Sequence, residues 1–537
     1  MLKIGRKTLL LLLASAALFM AWLLYVPYRP EHLLRAVPAN AQILTAHDNL
    51  AARWTGLMQN PLLQSLALTL GVDTTLLKTF AADPEVQKWV TRLAARNTVL
   101  AYVPRLGAGG RPAWMLASWL GGDSQVLRHQ LTWFPLPGFE RHAAHNGVPY
   151  WTVQVSGLKD GQQIALAFVE GLLIACVGDD NTAILDLLDT SDGLLPSLAL
   201  ARGAKLSDYW CLAPAAPDHG WVDTPSFVRP TPGRPAAPPL TISISTVQSN
   251  YIEGGLCGPF PLLPAAKTSA KTLECGDLAK FTGNLPMATV VLRNEAALPL
   301  LTNLLGSEWP GMLDVALRLQ GADRAAVFLF GGDFGGKLFG FRIPALVAAI
   351  PMRKPEAMLG LMHGQLLGSL GQQFGLGLTA RELKAGARAC YVIESAAPGL
   401  FGDLPPDERP AFAVLENWFL VASSARSLAA LLARYDTSTA DNEARTARWP
   451  EGLAQARGGG YAWTDTAKLR DELRLVIAAY ALKLTLEDPQ GAAAKRQQLN
   501  LWRAWLDALA PLGETRFWLT ADGQLAALRF QAGRPER

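Results

Sequence analysis

The chain repeats its own sequence pattern, and this repeat constrains the fold more than any other feature. The stretch VPANAQILTAHDNLAARWTGLM begins at Val37, and its counterpart LPMATVVLRNEAALPLLTNLL begins at Leu285, 248 residues later. Each contains a proline, small residues, an apolar run of strand length and then a run of helix length. Recurring supersecondary units indicate a duplicated domain, so we expect two related folding units.

Two further pairs of stretches recur in the same order. NTVLAYVPRLGAGGRPAWMLASWL from Asn97 and RAAVFLFGGDFGGKLFGFRIP from Arg324 each predict two strands around a glycine-rich turn, with LFGFRIP as the returning strand of the second copy. ALAFVEGLLIACVGDDNTAILDLL from Ala165 and AFAVLENWFLVASSARSLAALLAR from Ala411 each predict a hairpin followed by a helix.

The last pair also contains turn and cap signals. In Glu170-Gly171 and Glu416-Asn417, the glycine and the asparagine are expected to take the positive φ of a tight hairpin. A polar cap then opens each helix, from Asp179 to Asn181 in one copy and at Ser423 or Ser424 in the other. Hairpins followed by helices are typical of α+β domains, so we expect in each copy a curved sheet with helices on one face.

The fold class predicted for the whole chain is α+β: two related antiparallel-sheet-plus-helix domains after one N-terminal transmembrane helix, with a C-terminal helical hairpin and β-hairpin. Half of the 537 residues are apolar, which is enough for more than one core. Eight prolines from Pro214 to Pro239 predict an extended stretch, and LTISISTVQSNYI from Leu240 predicts a strand after it. The predicted divisions are 1–30 for a cytoplasmic stub and anchor, 31–205 for the first repeat, 206–284 for a proline-rich insert, 285–440 for the second repeat and 441–537 for the C-terminal part.

Two helices and a hairpin are predicted in the C-terminal part. Thr464 or Asp465 is expected to cap the first helix, and Pro511 and Gly513 to end the second. The strands TRFWLT and QLAALRF should turn at Asp522-Gly523. We expect the apolar stripes of the helices to pack on each other or on a sheet, with a membrane-surface role as the alternative. The stripes consist of Leu469, Leu473, Ile477, Tyr480 and Leu484, and of Leu499, Trp502, Leu506 and Leu509.

The segment from Thr8 to Tyr28 has no charged residue and would rise about 30 Å as a helix, which matches the hydrocarbon thickness of a bilayer. Lys3, Arg6 and Lys7 precede it and favour a cytoplasmic N-terminus, and Trp22 and Tyr25 suit the far interface together with Tyr28. A cleaved signal peptide is the alternative, with cleavage at Ala14-Ser15-Ala16 or Ala39-Asn40-Ala41. We expect a single-pass inner-membrane protein, anchored through residues 8–28, with the rest periplasmic or extracellular.

Charge and cysteine content exclude several classes of function. The formal charge of +4 is small, and no run of lysine and arginine interleaved with aromatic residues follows the first seven positions, so no nucleic-acid partner is expected. Five cysteines are too few for a disulfide scaffold, and none forms a C-x-x-C pair. Cys257 and Cys275 could form a disulfide in an oxidising compartment, with Cys211 as a competing partner.

Two motifs suggest chemistry, but their contexts argue against it. GGDFGGKL satisfies most of a phosphate-binding loop, yet Leu338 follows Lys337 where the motif needs a Ser or Thr, and a strand follows where it needs a helix. His142 and His145, near Glu140, have metal-ligand spacing only if they are helical, and Asn146-Gly147 predicts a loop.

No catalytic, cofactor-binding or metal-binding residue is therefore assigned. His47, beside Asp48, and His363 are isolated in the sequence. Tryptophans are numerous, and we expect those in predicted strands to pack in the core rather than bind ligands. These are Trp114, Trp119, Trp151, Trp418 and Trp518.

The predicted anchor, the VPANA segment with its following strand and helix, and the two α+β copies resemble uncharacterised bacterial envelope families of the domain-of-unknown-function type. The resemblance implies a periplasmic or cell-surface protein, and it transfers no functional residue. We expect a non-enzymatic, membrane-anchored interaction or scaffold module with envelope protein partners. A carrier or sensor of an apolar or glycan ligand and a hydrolase with a scattered active site are the alternatives.

Overall fold

The structure of the chain is a computed structural model. The described residues are 14, 15, 18, 25–69, 79, 82–134, 136–154, 162–178, 182–202, 215–223, 240–248, 251–258, 278, 286–294, 297, 321–332, 334, 337–338, 341–342, 344–385, 388–396, 404–437, 459–487, 492–522 and 525–533. These residues mix helices with large antiparallel sheet, which confirms the predicted class.

The described helices and strands are interspersed along the chain, with several runs of consecutive strands. The helices are α1 His32–Arg35, α2 Leu50–Gln59, α3 Pro61–Thr69, α4 Pro84–Leu93, α5 Gly122–Trp133, α6 Ala183–Ser191, α7 Leu198–Arg202, α8 Pro355–Leu361, α9 Leu367–Phe374, α10 Ala425–Thr437, α11 Thr466–Glu487 and α12 Ala492–Ala508, with a π-helical turn Met362–Leu366 between α8 and α9 and a short 3-10 turn Pro406–Glu408. The strands are β1 Ile43–His47, β2 Thr98–Leu106, β3 Arg111–Trp119, β4 Phe139–Arg141, β5 Tyr150–Val153, β6 Gln163–Val169, β7 Leu172–Gly178, β8 Asp218–Val222, β9 Leu240–Gln248, β10 Tyr251–Gly258, β11 Ala288–Arg293, β12 Arg324–Phe330, β13 Lys337–Leu338, β14 Phe341–Arg342, β15 Ala345–Pro351, β16 Leu378–Ala385, β17 Arg388–Ser395, β18 Ala411–Leu415, β19 Trp418–Ala422, β20 Gly460–Asp465, β21 Glu514–Asp522 and β22 Leu525–Gly533.

The chain divides into two compact units. Unit 1 comprises Met1–Gln59 and Thr75–Ser245, and unit 2 comprises Asn60–Thr74 and Thr246–Arg537. In unit 1 the antiparallel neighbours run β9, β8, β1, β2, β3, β7, β6, β5, β4.

Unit 2 pairs its strands in a matching order. Its neighbours run β21, β20, β11, β12, β15, β19, β18, β17, β16, again all antiparallel, and β22 and β10 extend the sheet beyond β21. Nine strands therefore follow one pairing order in each unit when they are taken in chain order. The connections differ, since α11 and α12 join β20 to β21, whereas the proline-rich stretch joins β8 to β9.

Helices cover both faces of the sheet in unit 1, so the expectation of helices on one face was wrong. On β7, Leu172 and Ile174 pack into a core with α6, while Leu173, between them, packs with Leu127 and Leu131 of α5. Alternate residues of a strand point to opposite faces, so these two cores lie on opposite sides of the sheet. The strands are apolar at consecutive positions because both of their faces are buried.

The same alternation holds in unit 2. On β19, Leu420 packs with Leu428 of α10, and the preceding Phe419 packs with Met358 of α8 and Leu367 of α9. Each unit is thus a sheet between two layers of helix.

The turns before β7 and β19 differ in one respect from the expectation. Glu170 and Glu416 take positive φ, at 43° and 49°, and Gly171 does as well, whereas Asn417 does not. Gly171 is required for space, since a Cβ there would lie 2.7 Å from Val26 Cγ1 and 3.1 Å from the Trp119 ring. Two glutamates at equivalent turns therefore share an unusual left-handed conformation.

The helix caps are partly described. Ser424 caps α10, because its Oγ accepts a hydrogen bond from Ser427 N at 3.1 Å. The predicted cap at 179–181 lies outside the described residues.

The predicted strand LFGFRIP was wrong. Its first residue, Leu338, ends β13, and Phe341–Arg342 forms β14, which pairs with Lys337–Leu338 in a separate two-stranded hairpin. The strand that returns along β12 is β15, which begins at Ala345, directly after Pro344. Proline cannot donate to a sheet ladder, which fits its place just before the strand.

The C-terminal helices and hairpin agree with their predicted limits. Asp465 caps α11, accepting from Lys468 N at 3.1 Å, and β21 and β22 pair antiparallel. The predicted turn residue Gly523 lies outside the described residues. Of the predicted stripes, Leu484 and Leu499 are buried, but Tyr480 and Trp502 are exposed, so the stripes do not pack as a whole.

The predicted membrane segment is only partly covered, by residues 14, 15, 18 and 25–28. Among the described residues, no helix combines the length and the apolar character that a membrane crossing requires. At the end of the segment, Val26 packs against the core of unit 1, and the Tyr28 ring meets the Trp119 ring edge to face at 5.5 Å. Val26 and Tyr28 therefore belong to the folded unit.

Candidate functional site

A polar cluster lies on β1 and β8 of unit 1. Thr45 and His47 are two residues apart on β1, so their side chains share a face of the sheet, opposite to the buried Leu44 and Ala46. Asp218 on β8 lies directly across from His47 in the ladder. Strand register thus brings Asp218 beside His47, from which it is 171 positions away in the sequence.

The three side chains form a chain of hydrogen bonds. His47 Nδ1 lies 2.7 Å from Asp218 Oδ1, and His47 Nε2 lies 3.0 Å from Thr45 Oγ1. A carboxylate only accepts, so Nδ1 carries the proton, and Nε2 of the neutral ring then accepts from the Thr45 hydroxyl. A carboxylate, an imidazole and a hydroxyl in this order are the arrangement in which histidine acts as a general base toward an alcohol.

Arg53 fixes the carboxylate from the side of α2. Asn49 caps this helix, its Oδ1 accepting from Ala52 N at 3.3 Å, and Arg53 lies in the first turn. Arg53 Nη1 donates to Asp218 Oδ2, and Nη2 donates to Asp218 Oδ1 at 3.0 Å and to the carbonyl oxygen of Asp48 at 2.7 Å. A bidentate pair of this kind restrains both partners.

The Asp218 carboxyl remains ionised although its side chain is only 11% exposed. Burial, the largest single influence, would raise its pKa. The hydrogen bonds from His47 and Arg53, together with the Arg53 charge, outweigh that effect and hold the pKa of Asp218 below its ordinary value. The carboxylate therefore keeps His47 oriented and can stabilise an imidazolium.

The polar cluster continues across the sheet as a row. The row consists of directly opposed residues on β8, β1, β2 and β3, namely Asp218, His47, Thr98 and Ser118. Thr98 Oγ1 lies 3.0 Å from Ser118 Oγ, and Ser118 Oγ donates to the carbonyl oxygen of Leu93. We call these four residues the polar row.

Unit 2 has no polar row at the equivalent place. The two sheets can be aligned from their equivalent turns, because Leu172 and Trp418 directly follow these turns and pair with Trp119 and Pro351. Counting back along the same strands matches Trp114 to Leu346, and their partners on the next strand are Tyr102 and Leu329. Tyr102 and Leu329 in turn pair with Ile43 and Ala288. In this alignment the polar row of unit 1 is replaced in unit 2 by Gly460 for Asp218, Leu292 for His47, Ala325 for Thr98 and Ile350 for Ser118. Val290 takes the place of Thr45. The same strand order therefore forms without these polar groups.

The two predicted metal-ligand candidates lie in a loop, as expected. His142 Nε2 is 2.8 Å from Thr152 Oγ1, and its ring stacks on Tyr150 at 4.8 Å. His145 Nε2 is 2.7 Å from Asp189 Oδ1. Among the described residues, no three His, Cys, Asp or Glu side chains are grouped so that they could hold a metal ion.

The remaining isolated histidine and the phosphate-loop motif lie in other surroundings. The His363 ring meets the rings of Tyr391 and Phe412 edge to face, at 4.8 and 5.6 Å. Lys337 of GGDFGGKL lies in β13, and Gly336 is outside the described residues. A Cβ on Gly331 would lie 3.1 Å from the Glu472 carboxylate, whose charge disfavours phosphate.

The tryptophans lie in strands, as predicted, but they are not all buried. Trp119, Trp151 and Trp418 are buried and Trp518 is half-buried. Trp114 is 48% exposed, so its expected core position was wrong, and its unit 2 equivalent Leu346 is 46% exposed. Both side chains lie on the face that carries the polar row in unit 1.

A second surface lies on α12 of unit 2. Leu501, Trp502 and Trp505 are 50%, 46% and 41% exposed, and their spacing places them on one side of the helix. Lys495 and Gln498 are exposed on the same side, since they precede Trp502 by seven and four residues. We call these five residues the α12 face.

Comparison of the chain with protein-family models, with curated proteins and with solved structures gave no match. The resemblance to envelope families therefore stays a prediction. The sequence offered no local signal for the polar cluster, because 171 positions separate His47 from Asp218 and only strand pairing joins them.

Proposed function

We propose that the protein is a non-enzymatic, membrane-anchored interaction module of the bacterial cell envelope. The uncharged run from Thr8 to Leu24 has 17 residues and would rise about 25 Å as a helix, near the lower limit for a bilayer. The anchor in this proposal ends before Tyr25, because Val26 and Tyr28 pack on unit 1. Basic residues before the run favour export of the rest.

The state of one cysteine supports the exported location. Cys257 is disulfide-bonded, and the two candidate partners, Cys211 and Cys275, lie outside the described residues. Disulfides persist in the periplasm and at cell surfaces and are rare in the cytosol. Cys176 and Cys390 form no disulfide, and their buried side chains pack as small apolar groups in the cores of units 1 and 2.

We further propose that units 1 and 2 derive from one duplicated domain. The matching order of nine strands supports this, as do the left-handed glutamates at equivalent turns, Glu170 and Glu416. In this proposal the units diverged at two places. Unit 1 acquired the polar row, and unit 2 acquired α11 and α12 between β20 and β21.

The α12 face is the observation that carries the proposed interaction. Two tryptophans and a leucine half-exposed within two helical turns are costly to leave in water, and Trp is enriched where proteins meet partners. Burial of an exposed large apolar side chain contributes about 1.5 to 3 kcal/mol when it is complete. A partner that covers the α12 face would gain part of this from each of the three residues.

Site-specific photocrosslinking in native membranes tests the proposal. A benzophenone amino acid in place of Trp505 is expected to give a specific adduct, whereas the same group in place of the exposed Glu356 on α8 is expected to give none. Adducts that form equally at both positions would contradict the proposed interaction surface. A reporter fused to the C-terminus and found in the cytosol would contradict the proposed export of the chain.

A hydrolase is the second candidate, favoured by the Thr45, His47 and Asp218 hydrogen-bond chain. In this reaction Thr45 Oγ bonds to the acyl carbon of an ester as His47 Nε2 takes the hydroxyl proton, which then passes to the departing alcohol. Water hydrolyses the acyl-threonine by the same route. It ranks second because the same cluster also fastens α2 to the sheet through Arg53.

The equivalent residues of unit 2 supply the variants for this test. Thr45→Val and His47→Leu introduce the side chains of Val290 and Leu292, which the same strand position already accommodates. If the purified chain hydrolyses p-nitrophenyl esters, each variant is expected to lower the rate by about a hundredfold or more, while His142→Leu leaves it unchanged. Equal rates in wild type and Thr45→Val would exclude Thr45 as the nucleophile.

A further inference from the structure

We infer that the α12 face docks onto the headgroup layer of an anionic phospholipid bilayer. This inference rests on the proposed function, because it names the partner of the same surface. It concerns unit 2 alone and requires no contribution from the polar row.

The aromatic composition of the α12 face suits an interface between water and lipid. Trp502 and Trp505 each present an apolar ring and one N–H donor, a combination that favours the boundary between headgroups and acyl chains. Leu501, four residues before Trp505, adds an aliphatic side chain on the same side. Half-buried amphipathic helices use this combination to lie in the plane of a membrane surface.

The charge distribution on α12 favours anionic lipid. Lys495 lies on the α12 face, whose five described residues include no carboxylate. The acidic residue of this helix, Asp507, follows Trp505 by two positions and therefore points to another side of the helix. There it accepts a hydrogen bond from Arg474 Nε at 2.7 Å. Lys495 contributes a positive charge to this face, and such a charge favours contact with a layer of phosphate groups.

The packing of α12 favours a surface rather than a peptide as partner. The helix packs against α11 and α3, and Leu499 and Ala508 are buried among those of its side chains that the structure describes. Asn60 holds α3 in place, since its Oδ1 accepts from Leu62 N at 3.0 Å and its Nδ2 donates to the carbonyl oxygen of Gln248 at 2.6 Å. The α12 face is therefore the outer side of a supported helix, whereas helical peptides bind in grooves between elements.

The test uses the full chain in vesicles that contain no other protein. The chain, with a benzophenone amino acid in place of Trp505, is reconstituted in phosphatidylcholine alone or in phosphatidylcholine mixed with phosphatidylglycerol, irradiated and digested. Mass spectrometry is expected to find a phospholipid adduct at position 505, in higher yield with phosphatidylglycerol. The same group in place of Glu356 is the matched control, expected to give no lipid adduct.

Two variants connect the adduct to the α12 face. Leu501→Gln combined with Trp502→Gln is expected to lower the adduct yield about tenfold, because it removes most of the apolar surface. Lys495→Glu is expected to remove the preference for phosphatidylglycerol. Both variants change exposed side chains, and circular dichroism and the melting temperature check that they remain folded.

The outcomes separate this inference from the proposed function. An adduct to a protein in native membranes, without a lipid adduct in vesicles, would overturn the lipid inference and leave the interaction module standing. No adduct in either setting would overturn both. A lipid adduct of equal yield at positions 505 and 356 would also overturn the inference, since the chain would then touch lipid without using the α12 face.

Discussion

Units 1 and 2 pair nine strands in one order but fill the same sheet position with opposite chemistry. In unit 1, Asp218 and His47 hydrogen bond across β8 and β1, while in unit 2 Gly460 and Leu292 occupy the equivalent positions. A Cβ on Gly460 would lie 2.5 Å from Leu292 Cδ2, so the leucine fills the space that a side chain at position 460 would need. The strand order requires neither solution, which makes the polar one a specific property of unit 1.

The comparison also shows how each solution is stabilised. The Asp218 carboxylate depends on charge-assisted hydrogen bonds from Arg53, and removal of one partner of such a pair exposes the other to an unfavourable environment. The contact between Leu292 and Gly460 is stabilised by close packing. Its stability should therefore be lowered by added volume rather than by the loss of a hydrogen-bond partner. Different kinds of substitution at this position should therefore lower the free energy of unfolding of the two units.

Among the variants that compare the polar row with its counterpart in unit 2, Asp218→Asn is expected to have the largest effect. This variant leaves Arg53 without its bidentate carboxylate, and we expect it to lower the free energy of unfolding of unit 1 by about 2 to 3 kcal/mol. Hydrogen exchange of the β1 and β8 amides measures this locally, since a chain of two units need not unfold in one step. The control is Asp407→Asn, which breaks a half-exposed pair with Arg426 in unit 2 and should cost less than about 1 kcal/mol. Equal losses would show that the Asp218 pair is no more than a surface ion pair.

A second test adds volume to unit 2. Gly460→Ala places a methyl group against Leu292 and 2.9 Å from the carbonyl oxygen of Val291, and we expect a loss of about 1 to 3 kcal/mol at β11 and β20. Gly220→Ala in β8 is the matched control, because its Cβ would meet Ile242 at an ordinary 3.7 Å. It should change stability by less than about 0.5 kcal/mol. A tolerated alanine at position 460 would mean that close packing does not stabilise unit 2 here.

The sequence predicted the class of fold because local signals determine hairpins, turns and caps. A polar residue before an apolar run predicts a cap, at Thr464 or Asp465 and at Ser423 or Ser424, and the structure shows Asp465 and Ser424 in that role. The turn signal likewise predicts the hairpin of β21 and β22. The return of β12 was misplaced because LFGFRIP and ALVAAIP are both short apolar runs, and the glycine-rich turn alone does not decide between them. Helices on both faces could have been predicted from the consecutive apolar residues of β6 and β7.

The polar cluster could not have been predicted in the same way. His47 looked isolated because its partner Asp218 lies beyond six intervening strands, in a stretch that sequence reasoning treated as an insert. Only the pairing of β1 with β8 brings the two together, and pairing between distant strands has no local sequence signature. The exposure of Trp114 could not be predicted for a related reason. A tryptophan in an apolar strand is expected to be buried, and only the positions of the helices show which parts of the sheet they cover.

A third test uses pH to distinguish the two units. The pKa of Asp218 lies below its ordinary value of 3.8, so its contribution to stability is fully present above that value and is lost as the pH falls through the lower pKa of the folded state. We expect the difference in unfolding free energy between wild type and Asp218→Asn to shrink below about pH 4. Leu292→Ala is the control, because neither residue titrates and its cost should not follow this pH dependence. A difference that stays constant down to low pH would contradict the assigned role of the Asp218 charge.

The smallest expected effect tests the equivalence of the units directly. Trp114 and Leu346 occupy matching positions and are exposed to nearly the same extent, so Trp114→Ser and Leu346→Ser should each lower stability by less than about 1 kcal/mol. Trp119→Ala, only five residues from Trp114 but buried, should cost about 3 to 5 kcal/mol. Hydrogen exchange of β3 and β15 measures all three. Half-exposed side chains at matching positions of one fold should contribute alike to stability. A large loss of stability from Trp114→Ser alone would therefore mean that the two positions are not equivalent and that unit 1 uses this tryptophan in its core.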